Sequence, residues 1–117
     1  MESSLMDVSA SEVFHLASKD RKWERSGFEG LEICLIRINE TGGGAAFLRA
    51  ASGSGFPVHI HPGGEELLVI SGKVVVGDRV LEAGDYLWTP PGGIHGLECE
   101  EDALLLVSAP NGIKIVD

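Results

Sequence analysis

The stretch Gly53-Ser54-Gly55-Phe56-Pro57-Val58-His59-Ile60-His61-Pro62-Gly63-Gly64-Glu65-Glu66-Leu67-Leu68-Val69-Ile70-Ser71-Gly72 decides how the chain is read. Two apolar, partly β-branched runs flank a Pro-Gly-Gly break, which is the pattern of two short strands joined by a tight turn. In a strand, residues i and i+2 project to one face. His59 and His61 therefore face one way, and Val58 and Ile60 the other. Pro62-Gly63-Gly64 bends the chain so that the next strand, Glu66 to Ser71, runs back and carries a carboxylate toward the imidazoles. Adjacent strand residues face opposite sides, so only one of Glu65 and Glu66 can share their face.

Outward from this stretch the same texture repeats. Leu31 to Ile38 and Ala45 to Ala51 read as strands before it, with turns at 39–44 and 52–55. After it come Lys73 to Val76, Arg79-Val80-Leu81, Tyr86 to Thr89, Ile94 to Glu98, Ala103 to Ser108 and Ile113 to Val116. Gly77-Asp78 between two such runs is a two-residue hairpin signal, because glycine accepts the positive φ that the turn requires. About nine or ten short strands with regular turns, and no helix-length segment of 3.6-residue period, predict an all-β sandwich or closed barrel. Residues 1–27 read as a lead-in and 28–117 as the barrel. Within the lead-in, Ser9-Ala10-Ser11-Glu12 before Val13-Phe14-His15-Leu16 is compatible with a short capped helix or an edge strand. A second Gly/Pro/His cluster lies at 84–95, where Pro90-Pro91-Gly92-Gly93 precedes His95.

Composition bounds the function. The chain has 117 residues, which is one domain. Nine Lys/Arg against 18 Asp/Glu leave a net charge of −9, a poor match for nucleic acid or an anionic membrane surface. The longest apolar run, Ala103 to Val107, is far short of a bilayer span. The start, Met1-Glu2-Ser3-Ser4, carries no export pattern, so a cytoplasmic protein with Cys34 and Cys99 as free thiols is expected. Three of the four histidines sit in the two clusters. His59, His61 and His95 with one carboxylate suit a single divalent transition ion: zinc, iron, manganese, nickel or copper.

The spacings then carry a resemblance. Gly53-x5-His59-x-His61-x3-Glu65-x6-Gly72 resembles the first motif of the cupins, position for position. Gly84-x5-Pro90-x-Gly92-x2-His95 resembles the second, except that its final Asn is Cys99 here. The resemblance covers about residues 28–110. It implies a jelly-roll β-barrel of two antiparallel sheets and a metal site formed by His59, His61, Glu65 and His95. It therefore selects Glu65 over Glu66, leaving Glu66 on the outer face. More narrowly, the run from His59 to Gly72 with Ala83-Gly84-Asp85-Tyr86 and Pro90-Pro91-Gly92 is similar to a group of small cupins. That group contains the cupin domains of zinc-binding anti-sigma factors, acetylacetone dioxygenase and dihydroxyacetophenone dioxygenase. No separate helical sigma-binding domain is expected before the barrel.

Two functions follow from the resemblance. One is an iron-type dioxygenase cleaving a small chelating ketone or diketone-like molecule. The other is a non-catalytic zinc or small-molecule sensor, and an isomerase or lyase is a third. A homodimer is expected: the resemblance implies pairing through the outer strands of the barrel, and Ile33-Cys34-Leu35-Ile36 is apolar on both faces and must be covered on both, by its own domain or by a partner. Several residues stay two-sided at this level. Tyr86 and Trp88 face opposite to Leu87 and Thr89, Arg37 and Arg49 face either cavity or solvent, and Cys99 is a buried apolar residue or a thiol near the metal.

Overall fold

The protein is described by a computed structural model covering residues 12–116. Nine antiparallel strands follow one another: β1 (Glu24–Arg25), β2 (Leu31–Ile38), β3 (Gly44–Ala50), β4 (Gly55–His61), β5 (Glu65–Val76), β6 (Arg79–Glu82), β7 (Tyr86–Thr89), β8 (Gly93–Ala109) and β9 (Lys114–Ile115). A 3-10 turn, Ser18–Asp20, precedes them. Val13 to Leu16 form neither the helix nor the edge strand considered above, and Ser9 to Ser11 lie outside the described residues.

The sheet curls on itself because two strands are long enough to serve both of its halves. β8 pairs with β3 along Ala103–Ala109, with β4 along Gly93–Glu98, and with β5 through most of its length. β5 in turn carries β6 and β7. The two expected sheets are thus one continuous hydrogen-bonded network, closed into a jelly-roll barrel. Register shifts in β5 between Val69 and Val74 supply the bend. The Gly77-Asp78 turn joins β5 to β6 with Val76 opposite Arg79, as the hairpin signal predicts.

Two runs read as separate strands prove continuous. Glu66 to Ser71 and Lys73 to Val76 are one strand, as are Ile94 to Glu98 and Ala103 to Ser108. The acidic stretch Glu98-Cys99-Glu100-Glu101-Asp102 looks like a turn but stays extended. Cys99 packs inward opposite Val74, while Glu98 and Glu100 point to water and Lys73 sits 3.8 Å from Glu100. β1 has no counterpart in the sequence reading; two residues carry too little periodicity to announce a strand.

Alternation sets the core. Leu67, Val69, Val74, Val76, Leu97, Cys99, Ala103 and Leu105 point inward and are buried, whereas Glu66, Leu68 and Ile70 point out. Each buried aliphatic side chain contributes about 1.5–3 kcal/mol. On β2, Ile33 and Leu35 line the interior, and Cys34 on the other face is 1% exposed. The chain's own N-terminal segment, through Phe14 and Leu16, lies alongside Ile36, Phe47 and Leu106 on the outside. Cys34 is thus covered within the domain, while Leu35 and Ile38 stay part-exposed. Cys34 and Cys99 are free and buried.

Candidate metal centre

The site is assembled by strand register. His59 on β4 stands directly opposite His95 on β8, and His61 stands opposite Gly93. His59 and His61 share a face, so three rings meet, with centroids 4.4 Å (His59–His61), 5.0 Å (His59–His95) and 4.2 Å (His61–His95) apart. One ring nitrogen from each of these histidines lies within 4.8 Å of the other two, a spacing that could hold a metal ion. Glu65, the first residue of β5, turns its Oε1 to 3.4 Å from His61 Nε2 and 3.6 Å from His95 Nε2. Glu65 is 6% exposed, while its neighbour Glu66 points out and accepts a hydrogen bond from the Tyr86 hydroxyl.

Backbone tethers orient the rings. His59 Nδ1 donates to the Pro57 carbonyl at 2.8 Å, and His61 Nδ1 donates to the Gly93 carbonyl at 2.8 Å. A carbonyl only accepts, so each of these neutral rings carries its proton on Nδ1 and presents a lone pair at Nε2. The His61 carbonyl also accepts from the amides of Gly64 and Gly92, which ties together the turns that follow β4 and β7. His61 Nε2 is buried without a hydrogen-bond partner. A buried nitrogen lone pair without a donor is costly. Two further imidazoles and a carboxylate around it form a donor set that fits a divalent transition ion. Burial lowers the His59 pKa below its ordinary value, reinforced by the His61 and His95 rings and opposed by the Pro57 carbonyl and Glu65. The neutral form that ligation requires is thereby favoured.

His59, Glu65 and His95 open onto a cavity of about 550 Å³, with His61 fully buried behind them. Its walls are apolar, among them Ile33, Leu35, Leu48, Leu97 and Ile113. Phe28 and Phe56 meet edge to face at 4.9 Å, and Phe56 meets the His59 ring likewise at 4.9 Å, giving an aromatic corner beside the histidines. A larger, shallower groove of about 980 Å³ lies along Arg21, Trp23 and Arg49 and contains none of the histidines.

The two-sided residues resolve. Trp88 and Tyr86 are half exposed on the outer face, and Thr89 faces inward at 8% exposure. Arg49 points out, bonded to Glu32 at 2.8 Å and stacked 4.0 Å over Trp23. Arg37 is exposed at the rim of the cavity. Cys99 belongs to the apolar core, its thiol donating to the Glu101 carbonyl, and burial raises its pKa. His15 is exposed and distant in sequence from both clusters. The aromatic corner and the contact of Thr89 with His95 escaped the sequence reading, since neither carries a spacing signal.

A closed antiparallel barrel with this topology is a cupin. Within that class, the sequence model for the ChrR cupin-like domain matches residues 11–111, and the chain belongs to that family. Among solved structures, a candidate acetylacetone dioxygenase from Methylibium petroleiphilum PM1 superposes with a TM-score of 0.84 at 21% identity, covering 96% of this chain and 86% of that one. A chain of the Rhodobacter sphaeroides complex of SigE with the anti-sigma ChrR superposes with a TM-score of 0.66 at 24% identity, covering 80% of this chain and 50% of that one. These likenesses establish the fold. The DNA damage-repair/toleration protein DRT102 of Arabidopsis thaliana is 36% identical over 70 residues, which is 55% of this chain. The match spans only 23% of that protein's length. Among the described residues no helix is long and apolar enough to cross a membrane.

Proposed function

We propose that this chain is an iron-type, metal-dependent dioxygenase acting on a small chelating ketone or diketone-like molecule. The observation that carries the reading is the convergence of three imidazoles at the wall of an apolar cavity of about 550 Å³. In this reading His59, His61 and His95 hold one divalent ion, and Glu65 completes the ligand set. An iron ion bound there supplies redox chemistry toward O₂, which zinc does not. The side chains do the rest. The Pro57 and Gly93 carbonyls hold the His59 and His61 rings in the ligating tautomer. Glu65 borders the cavity and offers Oε1, the oxygen nearest the His61 and His95 rings, to the ligand set. Phe28, Phe56 and the aliphatic walls receive the organic body and exclude water. The structural neighbour assigned as a candidate acetylacetone dioxygenase supports the choice of substrate class.

A second reading is favoured by the family itself and by Glu65. Three imidazoles and one carboxylate around zinc make a closed four-coordinate site, with no position for a substrate. The chain is then a non-catalytic zinc or small-molecule sensor. One experiment separates the two. Protein purified without a histidine tag is analysed for metal, reloaded with iron(II) under anaerobic conditions, and tested for O₂ uptake with β-diketones and hydroxyacetophenones. Uptake with iron and none with zinc supports the dioxygenase. Four-coordinate zinc on isolation, with no uptake in iron, manganese, nickel or copper forms, establishes the sensor.

We also place a second copy of the chain against the outer face of β5 and β7. Leu68 lies opposite Tyr86 there and Glu66 opposite Trp88. With Ile70, the three apolar side chains form an exposed patch of the kind that marks an interface.

A further inference from the structure

We infer that Thr89 is the residue that positions His95, and that His95 is the most loosely tethered of the three histidines. The inference rests on the metal-centre reading above and concerns how this chain prepares the site.

The three rings are not held alike. His59 and His61 donate from Nδ1 to carbonyl oxygens at 2.8 Å. His95 Nδ1 has Thr89 Oγ1 as its partner, at 3.4 Å. A carbonyl pins the tautomer because it accepts only. A hydroxyl both donates and accepts, so it holds the ring through a longer contact and leaves the tautomer to be set by what lies at Nε2. Outer partners of ligating histidines fix ring orientation, and removing one typically costs 10–100-fold in metal affinity.

Thr89 is itself fixed. It is the last residue of β7, 8% exposed, and directly opposite Glu65 in the β5–β7 ladder. Its methyl group fills the space before Gly93, where an added Cβ would lie 2.4 Å from Thr89 Cγ2. A β-branched side chain is stiff at χ1, and the hydroxyl lies on the side of His95. The hydroxyl is the part that reaches the ring. One residue therefore borders a donor on each side, Glu65 through the ladder and His95 through the hydroxyl.

Thr89→Val keeps the shape and deletes the hydroxyl; Thr89→Ser keeps the hydroxyl and deletes the methyl. Zinc affinity is measured by competition with a chromophoric chelator, and each metal-free variant is melted in parallel. The expected result for Thr89→Val is a roughly 10-fold or greater loss of affinity, with Thr89→Ser recovering most of it. The metal-free melting temperature of Thr89→Val should stay within a few degrees of the parent, which a merely structural role would not produce. In the zinc-loaded parent, imidazole ¹⁵N shifts should report His95 protonated at Nδ1. Parent-like affinity in Thr89→Val overturns the assignment while leaving the metal centre standing, and so does a His95 ring ligated through Nδ1. A parent protein that takes up no metal overturns both. Should Thr89→Val fail to fold, the ¹⁵N shifts of the parent still decide.

Discussion

The turn between His61 and Glu65 can be loaded in a controlled way, because two glycines in the neighbourhood share a backbone conformation and differ only in crowding. Gly64 has φ +85° and Gly92 has φ +86°. A Cβ on Gly92 meets nothing within 4 Å. On Gly64 it lies 2.8 Å from Trp88 Cη2, 2.9 Å from the Thr89 carbonyl oxygen and 3.3 Å from Pro91 Cδ. Gly92→Ala therefore carries only the left-handed backbone cost, about 1–2 kcal/mol. Gly64→Ala carries that cost plus crowding against a backbone oxygen that cannot rotate away, a further 1–3 kcal/mol or so. For a domain of this size each kcal/mol lowers the melting temperature by about 4–8 °C. Gly92→Ala should melt roughly 5–15 °C below the parent, and Gly64→Ala roughly 10 °C below Gly92→Ala. Urea denaturation of the metal-free proteins, with equal m-values, is the assay. Gly64→Ala should also lose metal affinity, since the displaced turn carries Glu65 and the His61 carbonyl accepts the Gly64 amide at 3.0 Å. Equal stability of the two variants would refute the claim that Trp88 and Thr89 clamp the turn.

Three more outcomes are expected. His59→Ala and His95→Ala should each abolish most metal uptake while His15→Ala leaves it intact, read by metal analysis after identical loading; equal content across the three removes the site. Burial depresses the His59 pKa below 6.5, so the native state favours the neutral ring. Its contribution to metal-free stability should be complete above about pH 6.5 and disappear as the pH falls through the lower native value; a His59→Gln variant should lack that acid-side slope, and an identical slope in both proteins counts against it. Light scattering at micromolar concentration should give twice the chain mass, and Trp88→Glu should return it to one; a monomeric parent excludes the β5–β7 face as a self-association surface.

The legible and illegible parts of the sequence divide on physical grounds. Where a strand alternates strictly, facing could be read: His59 and His61 share a side, and only one of Glu65 and Glu66 can join them; the motif resemblance, not alternation, selects Glu65, which is buried while Glu66 is exposed. Strand ends are harder: the runs Ile94 to Glu98 and Ala103 to Ser108 are one strand, because the exposed Glu98, Glu100, Glu101 and Asp102 interrupt the apolar pattern while only Cys99 between them is buried. The dimer expectation drawn from β2 allowed cover by the domain or by a partner, and a sequence does not say which: Cys34 is buried within the chain, while Leu35 and Ile38 stay part-exposed. The Thr89–His95 contact is illegible for a related reason: alternation sets Thr89 apart from Trp88 but does not say which set faces in, and its partner His95 is brought to it by a turn rather than by a periodicity.

The 17 residues of β8 have a mechanical consequence. This strand begins beside the histidines at Gly93 and ends at Ala109 beside β3, and it bonds to β4, β5 and β3 on the way. No seam divides the barrel into halves that could open separately, so its amides should exchange with deuterium through one cooperative event. An ion bound at the histidines then slows exchange along the whole strand by the full factor 1 + [L]/Kd, with no conformational change. Amides of β8 residues that do not border the cavity, such as Ala103 and Leu105, would report the occupancy of the site.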